Sequence, residues 1–184
     1  MKNKGITLVA LVITILLLIL LAGVSVYGGK KLIRNSELEN MKTNLLLIKA
    51  KVDKNVENAN FKLGTSYDTL TDETAKNQRL ADAKAELLGE EISKDNISIL
   101  QNININQEQL LTDNENYIYY YKLNKENLDS MGLNKLVSDE KNGWYVVKYN
   151  IKNPEVEIYN TKGFILDNGT AYSLNEMENA IITE

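Results

Sequence analysis

The sequence predicts an α+β fold in which a long N-terminal helix, first hydrophobic and then amphipathic, precedes a small antiparallel β-meander. Three observations predict it. Residues Ile6–Tyr27 form a run of 22 without a charge. Apolar residues then recur at helical spacing from Leu38 to Ala59. From Tyr117 onward the apolar period shortens to two, with turn residues between the runs.

Charge is segregated along the chain. All 25 acidic residues lie beyond Tyr27; setting aside Lys2 and Lys4, the 157 residues from Gly28 to Glu184 carry 19 Lys+Arg, a balance of −6. An acidic body lacks the clustered cations that displace counterions from a phosphate backbone, so no nucleic-acid partner is expected. The chain has no histidine and no cysteine. That removes thiol nucleophiles, disulfides, Ser-His-Asp triads, His or Cys zinc sites and His- or Cys-ligated haem. Carboxylate, lysine, serine or tyrosine chemistry stays open. No motif places a carboxylate pair, however, and no serine sits in Gly-x-Ser-x-Gly. No catalytic residue, cofactor or metal site is therefore assigned, and the chain is read as a non-enzyme. The 24 asparagines and the 19:2 ratio of Lys to Arg reflect codon usage and carry no functional weight.

At about 1.5 Å per residue the uncharged run reaches roughly 33 Å as a helix, enough to cross a hydrocarbon core of about 30 Å. Three readings compete for it. As a secretory signal it has Lys2 and Lys4 as a basic n-region and Gly23-Val24-Ser25 as a small-x-small site, but Ile6–Ala22 exceeds the usual apolar core of about 7–15 residues. As a permanent anchor it is flanked by Lys2 and Lys4 before and by Lys30, Lys31 and Arg34 after, which orient it only weakly.

The third reading rests on the order Lys2-Asn3-Lys4-Gly5-Ile6-Thr7-Leu8-Val9-Ala10. A short basic leader ends in glycine and an apolar helix begins at once. This resembles the type IV prepilin N-terminus, whose pattern is Gly, then Phe-Thr-Leu-[Ile/Val]-Glu, then an apolar stretch. Gly5, Thr7, Leu8 and Val9 match, Ile6 stands in for Phe, and KGITLVALVITILLLILLAGVSV is similar to the clostridial-style, Gram-positive form. The resemblance covers Lys4 to Tyr27 and implies cleavage after Gly5 by a prepilin peptidase, with methylation of the new N-terminus at Ile6. It also implies sister pilin-like subunits, a platform protein, an assembly ATPase and membrane lipid as partners. The helix would sit in the cytoplasmic membrane before assembly, with the headpiece outside. One position departs: the family's glutamate falls on Ala10. A carboxylate in a bilayer implies a partner, held in the family to be a neighbour's terminal amine. Ala10 cannot make that contact, which points to a minor or tip subunit, or to assembly by apolar packing alone. The chain thus divides into a leader (1–5), a transmembrane or filament-core helix (6–27), an amphipathic continuation helix (28–62) and an α+β extracellular headpiece (63–184).

Gly28-Gly29 is a candidate hinge, and Ser36-Glu37-Leu38-Glu39 has the capping-box order at which a helix restarts. Leu38, Met41, Leu45, Ile48, Val52, Val56 and Ala59 follow at steps of three and four, with Leu46 and Leu47 widening the stripe. Read alone, this is an amphipathic helix lying on the body or a short coiled coil; the resemblance implies a helix packed on a sheet.

Thr71-Asp72-Glu73 to Leu88 reads as a second helix, with Ala75, Leu80, Ala83, Leu87 and Leu88 inward and Gly89 as its stop. Between Glu90 and Asn116, Ile97, Ile99, Ile103 and Ile105 alternate as in strands within Asn- and Gln-rich, loop-like surroundings. Tyr117–Leu123 is a strand and Lys125–Met131 a short helix ended by Gly132. Trp144–Ile151 places Tyr145, Val147, Tyr149 and Ile151 on one face. Lys152-Asn153-Pro154 turns the chain into Glu155–Tyr159, Lys162-Gly163 turns it again before Phe164–Leu166, and Asn168-Gly169 is the hairpin signal before Thr170–Leu174. A sheet of about three to four strands results.

Eight of the ten tyrosines fall between Tyr117 and Tyr172, either as good strand formers or as a stacking platform for sugar or bases. Asp113-Asn114-Glu115-Asn116, Asp139-Glu140 with Asn142, and Asp167-Asn168-Gly169 offer oxygen ligands for calcium without EF-hand spacing, and are equally ordinary turn chemistry. Gly23 to Gly28 misses the phosphate-loop pattern because Gly29 intervenes before Lys30 and Lys31 follows where Ser or Thr is needed.

Overall fold

The computed structural model describes the backbone of residues 4–167 and 169–178, and the side chains of residues 14–15, 32–167 and 169–178. In chain order the elements are α1 (Lys4–Leu63), α2 (Glu73–Lys84), β1 (Glu90–Glu91), α3 (Ser98–Gln101), α4 (Gln107–Glu115), β2 (Ile118–Leu123), α5 (Lys125–Ser130), β3 (Tyr145–Asn150), β4 (Glu155–Leu166), β5 (Gly169–Ser173) and α6 (Leu174–Glu178). The α+β class holds. The sheet has five strands, all antiparallel, in the order β1-β2-β3-β4-β5, rather than three to four.

Two compact units divide the chain between Asn40 and Met41, inside α1. The first is helical from Lys4 onward. Gly28-Gly29 does not interrupt it, and no new helix starts at Ser36. Two glycines cost about 1 kcal/mol each, but a break would forfeit the cooperative hydrogen bonds on both sides. Within this unit Leu32 and Ile33 are exposed.

The second unit begins with the last turns of α1. Leu45, Ile48, Val52, Val56 and Ala59 are buried at the spacing the sequence predicts, and Leu63, beyond the predicted stripe, is buried as well. Leu46 and Leu47 are not part of this stripe: they stay 47% and 44% exposed, because a helix can present only one face to the body. The buried face meets β3, where the Asn44 side chain hydrogen-bonds the Tyr145 hydroxyl. Further along, Asn60 Nδ2 donates to the carbonyls of Ile151 and Lys152 at 2.9 and 3.0 Å. Each buried aliphatic side chain in such a face contributes about 1.5–3 kcal/mol.

The second helix is shorter than its pattern. Asp72 caps α2 by accepting from Thr74 N–H at 2.9 Å. The helix tightens after Lys84 through Glu86 N–H to Ala83 O and Leu87 N–H to Lys84 O, so it stops before Gly89 is reached. Leu87 and Ala83 are buried, whereas Ala75 is exposed and Leu80 and Leu88 are half-buried.

The alternating isoleucines are helical and turn residues, not strands. Ile97 follows a 3-10 turn (Lys94–Asn96) capped by Ser93, Ile99 lies in α3, and Ile103 and Ile105 flank Asn104, whose φ is +62°. Together with Leu100 and Leu110 they pack on Tyr120, Val146 and Tyr159. The register pairs Val146 with Tyr159, so this cluster covers the sheet face opposite α1. The sheet is therefore a middle layer, and β3 is buried on both sides, at Val146 as well as at Tyr145, Val147 and Tyr149.

The α5 end is legible from the sequence. Asn124 and Asn127 form a reciprocal capping box at its start. At its end Leu133 N–H reaches Leu128 O and Gly132 N–H reaches Asp129 O, with Gly132 at φ +76°. This is the Schellman arrangement, closed by buried Leu128 and Leu133. The turn expected at Lys162-Gly163 is instead a register shift within the single strand β4. Asn160 Oδ1 accepts from Lys162 N–H and Gly163 N–H at 3.0 and 3.3 Å, satisfying the backbone that leaves the ladder. Beyond it, Leu166 pairs with Gly169 across a two-residue loop whose Asn168 lies outside the described residues.

Candidate functional site

Most of the residues singled out for processing and assembly lie in α1. Lys4 is its first residue, and Gly5, Ile6, Thr7, Leu8, Val9 and Ala10 follow, with Gly23 further along. Lys2 lies outside the described residues, as do the side chains of the others named here. The Gly5–Ile6 bond falls in the first turn, where backbone N–H groups have no acceptor within the helix and no acidic residue compensates them. Glycine there further weakens the turn. Among the described residues no helix is long and apolar enough to cross a membrane; in Ile6–Tyr27 only the side chains of Thr14 and Ile15 are described. Gly23 to Lys30 is helical, so the near-miss phosphate loop has no loop to form it.

The tyrosines do not make a platform. Tyr67, Tyr119, Tyr120, Tyr121, Tyr145, Tyr149 and Tyr159 are buried, and Tyr117 and Tyr172 are half-buried. Burial disfavours the phenolate and raises Tyr67 to about 12, assisted by a hydrogen bond with Tyr117. Burial and then the Glu91 charge raise Tyr119 to about 12 as well. Tyr121, Tyr149 and Tyr159 are pushed higher still, again chiefly by burial. These rings are core material with hydrogen-bonding tips: Tyr149 donates to Leu88 O at 3.1 Å and Tyr159 to Glu157 at 2.6 Å.

The oxygen clusters resolve into structural roles. Asp113 is buried and accepts from the Tyr120 hydroxyl at 2.5 Å. Asn116 closes the α4 end on Thr112 O at 2.8 Å. Asp139 accepts from Asn142, and Asp167 lies in the hairpin loop. Among the described residues no three acidic groups are placed to hold a metal ion.

Two clefts open on the second unit, neither signalled by the sequence pattern. In one, Lys49 pairs with Asp53 at 3.4 Å and donates to Val156 O at 3.2 Å, capping the part of β4 that β5 does not cover. The other lies between the end of α1 and the β3–β4 turn. It is lined by Phe61, Tyr67 and Pro154, with Lys152 and Asp68 paired at 2.8 Å. Phe61 is 83% exposed, a feature that helical periodicity alone places on the polar face.

No family model, no characterised protein and no solved structure matches the chain.

Proposed function

We propose that the chain is a type IV pilin-like subunit of a pilus or of a type II secretion-like pseudopilus, processed by a prepilin peptidase between Gly5 and Ile6. One observation carries the reading. The Gly5–Ile6 junction opens onto an uncharged run that belongs to one uninterrupted helix, α1, and the same helix ends with its Leu45–Leu63 stripe buried in an α+β body. The uncharged segment spans the cytoplasmic membrane before assembly and packs among sister helices afterwards; the headpiece is displayed outside. Sister subunits, a platform protein and an assembly ATPase complete the machinery, and membrane lipid surrounds the unassembled helix. The role is mechanical and adhesive, without a catalytic group or cofactor.

Ala10 favours a second reading, a monomeric single-span anchor whose body binds a ligand at the surface. Without the family's carboxylate, no charge guides the helix to a neighbour's amine. In the pilin reading the same residue marks a minor or tip subunit.

Mass spectrometry of the N-terminus of protein isolated from cells separates these outcomes. A chain that starts at Ile6, methylated or not, is expected. An intact Met1 would leave only the anchor, and a start at Val26 would indicate secretion. Replacing Ala10→Glu and shearing cells then distinguishes polymer from monomer: filaments in either form support the pilin reading, and their absence in both supports the anchor.

A further inference from the structure

Asn142 and Gly143 occupy the loop between α5 and β3. Asn142 is exposed to water. Its Nδ2 donates to both carboxylate oxygens of Asp139, at 2.9 and 3.1 Å, and its backbone N–H donates to Oδ1 at 2.7 Å. An antiparallel bridge pairs Asp139 with Gly143. Gly143 sits at φ +88°, and a Cβ there would stand 2.5 Å from Asn160 Oδ1 and 2.7 Å from Lys162 N. The fold therefore demands glycine after Asn142, whatever chemistry that pair brings with it.

The chemistry is self-contained. A glycine nitrogen carries no side chain to hinder its attack on the preceding asparagine. We propose that Asn142 is a site of spontaneous deamidation and that Asp139 is the brake on it. The Gly143 nitrogen attacks Cγ of Asn142 and gives up its proton to water. The Cγ–Nδ2 bond breaks and the amide nitrogen leaves as ammonia after taking a proton from water. Water then opens the resulting cyclic imide at either carbonyl, leaving aspartate or isoaspartate at position 142. No oxidant or cofactor is needed. While Nδ2 is held by both Asp139 carboxylate oxygens, Cγ is fixed and the side chain cannot turn towards the Gly143 nitrogen. Hydrogen bonds from Asn142, its backbone N–H foremost, hold the Asp139 carboxyl below its usual range, so the acceptor stays charged at neutral pH.

The product reverses the contact. A carboxylate at position 142 faces the Asp139 carboxylate where an amide donor stood, and the loop is driven open. That loop carries Ser138, whose hydroxyl donates to Leu123 O at 2.5 Å and accepts from Tyr145 N–H at 3.0 Å. Deamidation thus loosens, irreversibly, the seam between the end of β2 and the start of β3.

The test uses the full chain, folded in detergent at mildly alkaline pH. Peptide mapping follows amide-to-acid conversion and isoaspartate, and resolves Asn142 from the second Asn-Gly pair at Asn168-Gly169. Conversion at Asn142 is expected to be slow in the folded wild type, about fivefold or more faster in Asp139→Ala, and fastest in urea-unfolded chain. Asp139→Asn, which keeps one acceptor oxygen, falls between wild type and Asp139→Ala; circular dichroism verifies that both variants fold. Equal folded rates in wild type and Asp139→Ala overturn the proposal, as does a folded wild-type rate equal to the unfolded one, or no conversion at position 142 in the unfolded chain.

Discussion

The Tyr120 hydroxyl donates to the Asp113 carboxylate at 2.5 Å, and both groups are buried. The bond ties α4 to β2 on the sheet face opposite α1. Gln109, one turn earlier in α4, also donates to Asp113, at 3.4 Å. The tyrosine is the principal donor to a carboxylate that has little access to water.

Removing that donor leaves a buried acceptor without it. Tyr120→Phe is expected to cost about 1.5–3 kcal/mol, the range for hydrogen bonds to charged groups. Asp113→Asn, which keeps an acceptor oxygen, should cost less. Urea denaturation of the full chain in detergent measures both. The double variant should cost less than the sum of the singles, and simple additivity would show that the pair is not coupled.

Alkaline pH should unfold the body through its tyrosines. Tyr67 and Tyr119 titrate near 12 in the folded state, against about 10 when exposed. The folded state therefore binds these protons more tightly than the unfolded state. The associated stability is whole below about pH 10 and declines as pH rises towards 12. Urea midpoints are expected to be level between about pH 7 and 9 and to fall above pH 10, together with the rise in phenolate absorbance. An early, gradual phenolate rise in the folded protein would mean that these hydroxyls are solvated.

The two faces of α1 should answer differently to truncation. Ile48→Ala and Leu45→Ala empty fully buried positions and are expected to cost about 2–5 kcal/mol. Leu46→Ala and Leu47→Ala, at exposed positions, should change stability by less than about 0.5 kcal/mol. Thermal or urea unfolding of the four variants gives the contrast, and similar losses on both faces would contradict the burial of the Leu45–Leu63 stripe.

Gly132 and Gly143 both have positive φ but differ in their surroundings. Nothing lies within 4 Å of a Cβ built at Gly132, so Gly132→Ala should carry only the left-handed backbone penalty of about 1–2 kcal/mol. At Gly143 the same methyl meets Asn160 Oδ1 at 2.5 Å and Lys162 N at 2.7 Å. Gly143→Ala is expected to exceed the loss at Gly132 by at least about 1 kcal/mol in the same denaturation assay.

Elements whose cause is local were readable in the sequence. The short α5 with its Gly132 stop, the Leu45–Ala59 stripe, β2, and the alternation through Tyr145, Val147 and Tyr149 depend on neighbours a few residues away. What was not readable depends on distant partners. Ile97, Ile99, Ile103 and Ile105 show strand spacing, yet the need to cover Val146 and Tyr159 made them turns and short helices. Leu46 and Leu47 look like core by composition, and only the helix's orientation on the sheet excludes them. The Lys162-Gly163 turn became a shift within β4 because Asn160, buried in the same strand, supplies the missing acceptor. The tyrosine run had two readings, and Asp113, Leu88 and Glu157 as hydroxyl partners decide for the core.

Every strand of the sheet lies beside its neighbour in sequence, so its ladders close over modest stretches of chain. The bonds that seat α1 do not: Asn60 reaches Ile151 across 91 residues. Closing so long a loop before the sheet exists would cost entropy with no surface to receive the helix. The end of α1 is therefore expected to dock only after the strands that receive it have paired.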